Sequence, residues 1–269
     1  MDVKGTLEEL VNAVKANPKY RSIETSLVRS IGQAELAHRE NFKEAVKATR
    51  NKIHQIGGAY QESGIDYPRC SAELEELPAS LSNPALRDFC RQMMIQHAST
   101  RERLPILEHF YVETLECLGP VHSILDLACG FNPFALPWMP LTPGAQYYAC
   151  DIYQDMVDLI QEFFNHINQN GKVEVVNLVD SVPAHPVQLA LLLKTLPCLE
   201  QLEKNISQDL LSAIQAEHLL ISYPVHSLGG QSKGMLVNYE NHFRSLTDGK
   251  HWSIRRFQYP SELVFLVSR

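Results

Sequence analysis

Residues 124–133 read ILDLACGFNP. An apolar run reaches Asp126, a small-residue turn follows at Ala128-Cys129-Gly130, and Asn132-Pro133 closes the stretch. This is the pattern of a strand running into a ligand-binding loop. In a doubly wound sheet, ligands sit outside the carboxyl ends of the strands, and small residues let backbone N–H groups approach them closely. The spelling departs from G-x-G-x-x-G, because alanine stands at 128 and no third glycine follows. A dinucleotide pyrophosphate normally requires that glycine and a helix N-terminus aimed at phosphate. Pro133 and Pro137 argue against a long helix here. A cofactor without phosphates suits the loop better. S-adenosylmethionine (SAM) has none, and its ammonium and sulfonium centres suit a carboxylate such as Asp126. Gly130 is free to adopt positive φ, whereas Ala128 is expected to avoid it.

Working outward from the loop, the apolar period changes at Pro120. VHSILDL, AQYYACDI, KVEVVNL, VQLALLL, HLLISYP, SIRRFQY and ELVFLVSR read as short strands. DMVDLIQEFFNHINQ and CLEQLEKNISQDLLSAIQ read as amphipathic helices between them. Alternating strands and helices imply βαβ units and a mostly parallel sheet of seven strands. The last two strands are separated by little more than Pro260-Ser261, so they are expected to form an antiparallel hairpin at the sheet edge. AQYYACDI ends in Asp151, and an acid at the end of the second strand typically accepts hydrogen bonds from ribose hydroxyls.

Before the strands, residues 1–112 read as helical. TLEELVNAVKA places Leu7, Leu10, Val11 and Val14 on one face, with Thr6 and Glu9 spelling a capping box. NFKEAVKATRNKIHQI turns Phe42, Val46, Thr49, Ile53 and Ile56 inward and carries Lys43, Lys47, Arg50 and Lys52 on its other face. Residues 61–82 read as a linker or short helices. Asn83-Pro84 begins another helical stretch, with a break near Ser99-Thr100.

The formal net charge is −7, but its distribution is uneven. Residues 1–60 hold ten Lys/Arg against seven Asp/Glu and form the only net-positive stretch. Polyanion binding depends on local basic surface rather than on the total. No apolar run approaches the roughly 18 residues of a membrane helix, and MDVKGTLEELV lacks the apolar core of a signal peptide. Six cysteines without a C-x-x-C pair read as buried free thiols in a reducing cytoplasm. No H-x-x-x-H pair occurs, so a metal site is not expected.

Three further segments hold more polar chemistry than packing requires. LLLKTLPCLE places Lys194 after an apolar strand and before Pro197, where it either surfaces or faces a ligand. SYPVHSLGGQSKGM is a glycine-rich polar loop with Lys233, either solvated or facing a substrate. HASTRERLP crowds His97, Ser99, Thr100, Arg101 and Arg103 into seven residues.

Taken together, KYR (19–21), GAY (58–60), H-x-STRERLP (97–105), DLACGFNPFALPWM (126–139), LLLKTLPCLE (191–200) and SLGGQSKGM-x-x-NY (227–239) resemble the aminoglycoside-resistance 16S rRNA methyltransferases that modify N7 of guanine-1405. The resemblance covers nearly the whole chain, and the alanine-containing loop is that family's own spelling. It implies a class I, Rossmann-like SAM methyltransferase domain (113–269) behind an all-α RNA- and ribosome-docking domain (1–112). By position it implies that Tyr60, His97, Ser99 and Arg103 close over SAM, with Arg103 on the methionyl carboxylate. Ala128, Gly130, Asn132 and Pro133 match the loop, Asp151 and Ile152 the ribose and adenine edge, and Leu193 and Lys194 the strand end beneath the methyl donor. Where the family often has an aspartate on the adenine amino group, this chain has Asn177, followed by Leu178. The amide carbonyl can still accept that hydrogen bond, or Asp180 can reach in. Leu202 stands where the family often has glutamine, with Gln201 just before it.

Guanine N7 carries a lone pair and no proton, so positioning rather than acid–base catalysis is expected, with Lys194, Ser232, Lys233 and Met235 placing the flipped base. Lys15, Lys19, Arg21, Arg29, Lys47, Arg50 and Lys52 are the expected RNA contacts. The expected partner is 16S rRNA in the assembled 30S subunit, bound by a monomeric cytoplasmic enzyme. The alternatives are a small-molecule SAM methyltransferase with a helical lid, and a ribosome-binding module with an inactive SAM fold.

Overall fold

A computed structural model describes residues 6–62, 64–226 and 234–269. Its N-terminal part is helical: α1 (Leu7–Lys15), α2 (Thr25–His38), α3 (Phe42–Ile53), α4 (Tyr67–Glu75), α5 (Pro84–Ile95), α6 (Ala98–Arg101) and α7 (Leu107–Leu115). The Thr6 hydroxyl accepts from the Glu9 N–H at 3.2 Å, and the Glu9 carboxylate accepts from the Thr6 N–H at 2.6 Å, completing the capping box. α2 is a helix that the apolar pattern does not single out, and it buries Leu27, Val28 and Ile31. The break in the fifth helical stretch falls at Gln96-His97, ahead of Ser99-Thr100. There the Thr100 hydroxyl donates to the Met94 carbonyl at 2.6 Å and ties the two pieces together.

The sheet contains β1 (Val121–Leu127), β2 (Leu141–Asp151), β3 (Gly171–Val175), β4 (Val187–Leu193), β5 (Ala216–Pro224), β6 (Ser253–Gln258) and β7 (Glu262–Ser268). Its order is β3-β2-β1-β4-β5-β7-β6. Every pair is parallel except β5–β7 and β6–β7, so the hairpin forms at the edge as the sequence predicts. β4 is buried along its whole length, as a central parallel strand must be. α8 (Gln154–His166), α9 (Leu196–Leu199), α10 (Ile206–Ala213) and α11 (Met235–Thr247) complete the chain. The stretch read as one helix from Cys198 divides into α9 and α10, with a turn between them. α11 begins within the stretch read as a loop and runs on through residues the sequence reading left unassigned. Leu236, Tyr239, Phe243 and Leu246, at helical spacing, are the signal that marks it.

One apolar cluster joins the N-terminal helices to one face of the sheet and to α8, and a second lies on the other face. The joint is also made in the backbone. Glu24 N–H donates to the Ile152 carbonyl, and Gln154 N–H to the Ser22 carbonyl, both at 2.8 Å, around an antiparallel Ile23–Tyr153 bridge. The segment before α2 is thus stitched to the residues that directly follow Asp151. Among the described residues no helix is long and apolar enough to cross a membrane. All six cysteines are free, but only Cys90, Cys129 and Cys150 are buried; Cys70 and Cys198 are half-buried, and Cys117 is exposed in the short 3-10 turn after α7.

Candidate active site

The strand ends converge where the chain order reverses, between β1 and β4. A cavity opens there. From the sheet side it is lined by Ala128, Asp151, Ile152, Leu193 and Lys194, and from the helical side by Tyr60, His97 and Ser99, with Leu202 between. All nine are residues the sequence nominates. The sequence reading misses Leu27, Ile56, Gly57, Tyr153, Thr195, Cys198 and Leu199, most of them apolar groups whose spacing reads equally well as core. The cavity measures about 80 Å³, whereas small-molecule pockets run to roughly 300–1,000 Å³.

The loop geometry explains its composition. The N–H of Gly130 donates to one oxygen of Asp151 at 2.9 Å, and the N–H of Ile152 to the other at 2.7 Å. Asp151 therefore clamps the β1 loop to the end of β2 and still has lone pairs for a sugar hydroxyl. Burial raises its pKa, and the N–H groups of Gly130, Ile152 and Tyr153 work against that rise. Gly130 has φ of 52°, and an added Cβ would stand 2.8 Å from the His97 ring. Contrary to expectation, Ala128 also takes positive φ, at 51°, as does Lys194 at 62°. Each costs on the order of 1–2 kcal/mol. Such strain gathers where the surrounding structure holds a functional loop in place. Asn132–Trp138 forms only a 3-10 turn, consistent with the two prolines.

Several nominated residues lie beneath the cavity instead of facing it. Asp126 is 1 % exposed and accepts from the Asn132 amide and the Tyr147 hydroxyl, each at 2.8 Å. It orients the loop from below and does not meet a ligand cation. Asn132 in turn accepts from Arg103 Nη1 at 2.9 Å and from the Tyr111 hydroxyl. Arg103 is wholly buried, and its guanidinium faces Glu262 at 2.9 and 3.0 Å. The group expected on a ligand carboxylate thus pairs with a carboxylate of the chain itself. Pro133 is buried in the loop. Asn177 donates its amide to Asp180 at 2.9 Å and accepts from the Val179 N–H at 3.2 Å, while the Ser26 hydroxyl takes Asp180 at 2.6 Å. Asp180 Oδ2 thus takes both donors, and Leu178 is buried beside the pair. Ser232 and Lys233 lie outside the described residues.

Burial pushes the Asp126 carboxyl up to about 7, against the opposing pull of Asn132, Tyr147 and Arg103. A folded pKa above the unfolded value means that Asp126 favours the fold fully below about pH 4 and loses that contribution as pH rises through about 7. Asp126→Asn is expected to remove this loss, on the order of a few kcal/mol. Urea unfolding at pH 5 and pH 8 measures it; a variant with the same pH dependence as the parent would refute the assignment. His97 is pushed down to about 3 by burial, Lys194, Arg103 and Arg101, so it faces the cavity as a neutral imidazole.

Beyond the cavity lies a wider chamber of about 430 Å³, which shares Tyr60, Ser99 and Lys194 as common walls. Glu102, His226, Met235 and Tyr239 add to its lining. Lys194 Nζ stands between the two spaces, 2.6 Å from Glu102 and 3.7 Å from Glu262.

Of the expected RNA contacts, several already have partners. Lys15 donates to the Ile23 carbonyl at 2.9 Å, Arg50 to the Ala13 carbonyl, Lys19 meets His54 at 3.1 Å, and Arg29 pairs with Glu8 at 2.6 Å. Arg21 and Lys47 are exposed, and Lys52 partly so.

The family model for the ribosomal RNA methyltransferase FmrO matches residues 16–266. The chain belongs to this family. A 16S rRNA (guanine(1405)-N(7))-methyltransferase of Micromonospora rosea is 31% identical over 265 residues, covering 98% of this chain and 97% of the relative. The enzyme of that name from Frankia casuarinae is 32% identical over 272 residues, covering 98% and 96%. The crystal structure of 16S rRNA methyltransferase RmtF in complex with S-adenosyl-L-homocysteine superposes with a TM-score of 0.85 at 30% identity, covering 100% of this chain and 99% of RmtF. The family match therefore takes in every residue that lines the cavity.

Proposed function

We propose that this chain is a SAM-dependent methyltransferase that methylates N7 of guanine-1405 of 16S rRNA in the assembled 30S subunit, and that it confers aminoglycoside resistance in this way. The full-length relation to guanine-1405 N7-methyltransferases carries the reading. The cavity supports it: an acid at the end of β2 for a ribose, apolar walls at Leu27, Ile152 and Leu199 for a purine, and a 3-10 turn, not a long helix, after the β1 loop.

When bound, SAM supplies an electrophilic methyl group on a sulfonium centre. The lone pair of N7 forms the new bond as the carbon–sulfur bond breaks, with its electron pair passing to sulfur. No proton moves, so no residue need serve as a general base. The chain's own task is alignment. Asp151 holds the loop and the ribose, and Lys194, fixed at the end of β4 by its N–H to the Ser222 carbonyl at 3.0 Å, marks the boundary between cofactor and base. Met235, which lines the wider chamber, stands on the base side.

The helices before β1, residues 1–112, act in this reading as the docking domain, and residues 113–269 as the catalytic domain. Arg21 and Lys47 are exposed and Lys52 partly so, which suits them to phosphates; Lys15, Lys19 and Arg50 donate to neutral groups of the chain, and Arg29 pairs with Glu8. The enzyme works as a cytoplasmic monomer. An Arg21→Glu/Lys47→Glu double variant is expected to weaken 30S binding at least tenfold, to flatten its dependence on salt, and to leave SAM affinity unchanged. Filter binding at two salt concentrations checks this, and equal binding by both proteins would place the docking face elsewhere. The function itself is tested by incubating 30S subunits with radiolabelled SAM and mapping the modified nucleotide. Label at an adenine, or no label, would refute it.

A further inference from the structure

The wider chamber has one charged pair in its wall. Among its described lining residues, Glu102 is the only carboxylate and Lys194 the only lysine or arginine. Their charged atoms lie 2.6 Å apart, side by side at the boundary with the cofactor cavity. Glu102 lines the chamber and not the cavity, whereas Lys194 lines both. Going outward from the cofactor, the wall therefore presents one donor, Nζ, and then two acceptor oxygens.

The rim of guanine presents the matching series. Outward from N7 come the O6 acceptor, the N1–H donor and the N2 amine donor. Cytosine pairs with guanine through a donor followed by two acceptors, and the Lys194–Glu102 pair offers that same order. We propose that the wider chamber receives the flipped guanine with Lys194 on O6 and the Glu102 carboxylate on N1–H and the N2 amine, so that these two side chains read the base as guanine and turn its N7 toward the cofactor cavity. The inference rests on the function proposed above and names how that site selects its base. Tyr60 and Tyr239 supply aromatic walls for a base lifted from its stack.

Two chemical consequences follow. Adenine inverts the series, with an amine where guanine has O6 and a lone pair where guanine has N1–H. It would set an amine against the Lys194 ammonium and a lone pair against the Glu102 carboxylate, and it is rejected. The second consequence concerns rate. Methylation at N7 leaves a positive charge on the purine and makes N1–H a stronger donor. The hydrogen bond to Glu102 therefore strengthens as the methyl group transfers, and an interaction that is stronger in the transition state than in the ground state raises kcat more than it lowers KM. Lys194 faces that growing charge with its own already balanced by Glu102 and, at 3.7 Å, by Glu262.

The test compares the parent with Glu102→Gln on 30S subunits carrying either G1405 or the G1405→A change. SAM affinity is measured by calorimetry on both proteins, which also shows that the variant is folded. For Glu102→Gln the expected result is a tenfold to hundredfold fall in single-turnover rate at saturating subunit and SAM, the scale of about one bidentate base contact. Subunit and SAM affinities should stay within about threefold, and preference for guanine over adenine should narrow, because a carboxamide can donate to N1 of adenine. An unchanged rate and preference would overturn the inference, and so would a fall in SAM affinity as large as the fall in rate. If the parent itself leaves G1405 unmethylated, the proposed function fails; if the parent methylates it and Glu102→Gln does so equally well, only the reading of the chamber fails.

Discussion

Glu262→Ala is expected to destabilise the fold by about 3–5 kcal/mol, the cost of removing one partner from a buried ion pair. Glu262 is fully buried at the start of β7, and the cations it faces are buried as well: Arg103 at 0 % exposure and Lys194 at 4 %. Burial alone would raise the Glu262 pKa, but Arg103 and Lys194 outweigh burial and hold it below the usual value. Its contribution is thus present above about pH 4.5 and is lost as pH falls through the depressed value. With alanine in place, two cations would share an interior with no anion between them except Glu102 at its outer side. Calorimetry should show the midpoint falling on the order of 10 °C, and Glu262→Gln should fall between parent and alanine. A loss below about 1 kcal/mol would mean that water reaches the site and that the pair is not buried in solution. The same change should loosen the loop, because Arg103 also holds Asn132, and Asn132 is held by Asp126.

Asp151→Ala is expected to lower SAM affinity by about 100-fold or more. It removes an acceptor for the ribose and, at the same time, the anchor of the Gly130 and Ile152 N–H groups, and bonds to a charged acceptor contribute roughly 1.5–3 kcal/mol each. Asp151→Asn keeps one acceptor oxygen and should lose less. Calorimetric titration with SAM at pH 7.5 measures both. The fold should hold, since Asp151 lies at a strand end and the sheet register of β2 with β1 and β3 does not depend on its side chain. An alanine variant that binds SAM within threefold of the parent would remove Asp151 from the site.

The sheet was legible in the sequence because each strand is short, apolar and bounded by turn residues, and because the hairpin at β6–β7 is nearly contiguous in the chain. The walls of the cavity were legible for the same local reason: Ala128, Asp151, Leu193 and Lys194 all leave strand ends. What lies far apart in sequence was not legible. Nothing near Arg103 announces Glu262, which is separated from it by 159 positions, so the sequence reading missed this partner. The same holds for Ser26 and Asp180, separated by 154 positions, whose hydrogen bond lies beside the Asn177 amide. Ala128 misled for an energetic reason. Local sterics oppose its φ of 51°, and the hydrogen bonds and packing around the loop override them. α11 was hidden by composition, since its polar residues outnumber the spaced apolar ones that dock it.

The stitch between Ser22–Glu24 and Ile152–Gln154 bears on regulation as well as on folding. In the proposed function, the segment that would dock the ribosome and the segment that would hold the ribose exchange main-chain hydrogen bonds directly, with no flexible side chain between them. The two ligands therefore meet at one mechanical joint, and thermodynamic reciprocity governs what passes through it. By whatever factor a bound 30S subunit changes the affinity for cofactor, bound cofactor changes the affinity for the subunit by that same factor. If the spent cofactor grips that joint less firmly than SAM does, its departure and the enzyme's release from the modified ribosome become one coupled event, and turnover acquires a direction without any further moving part.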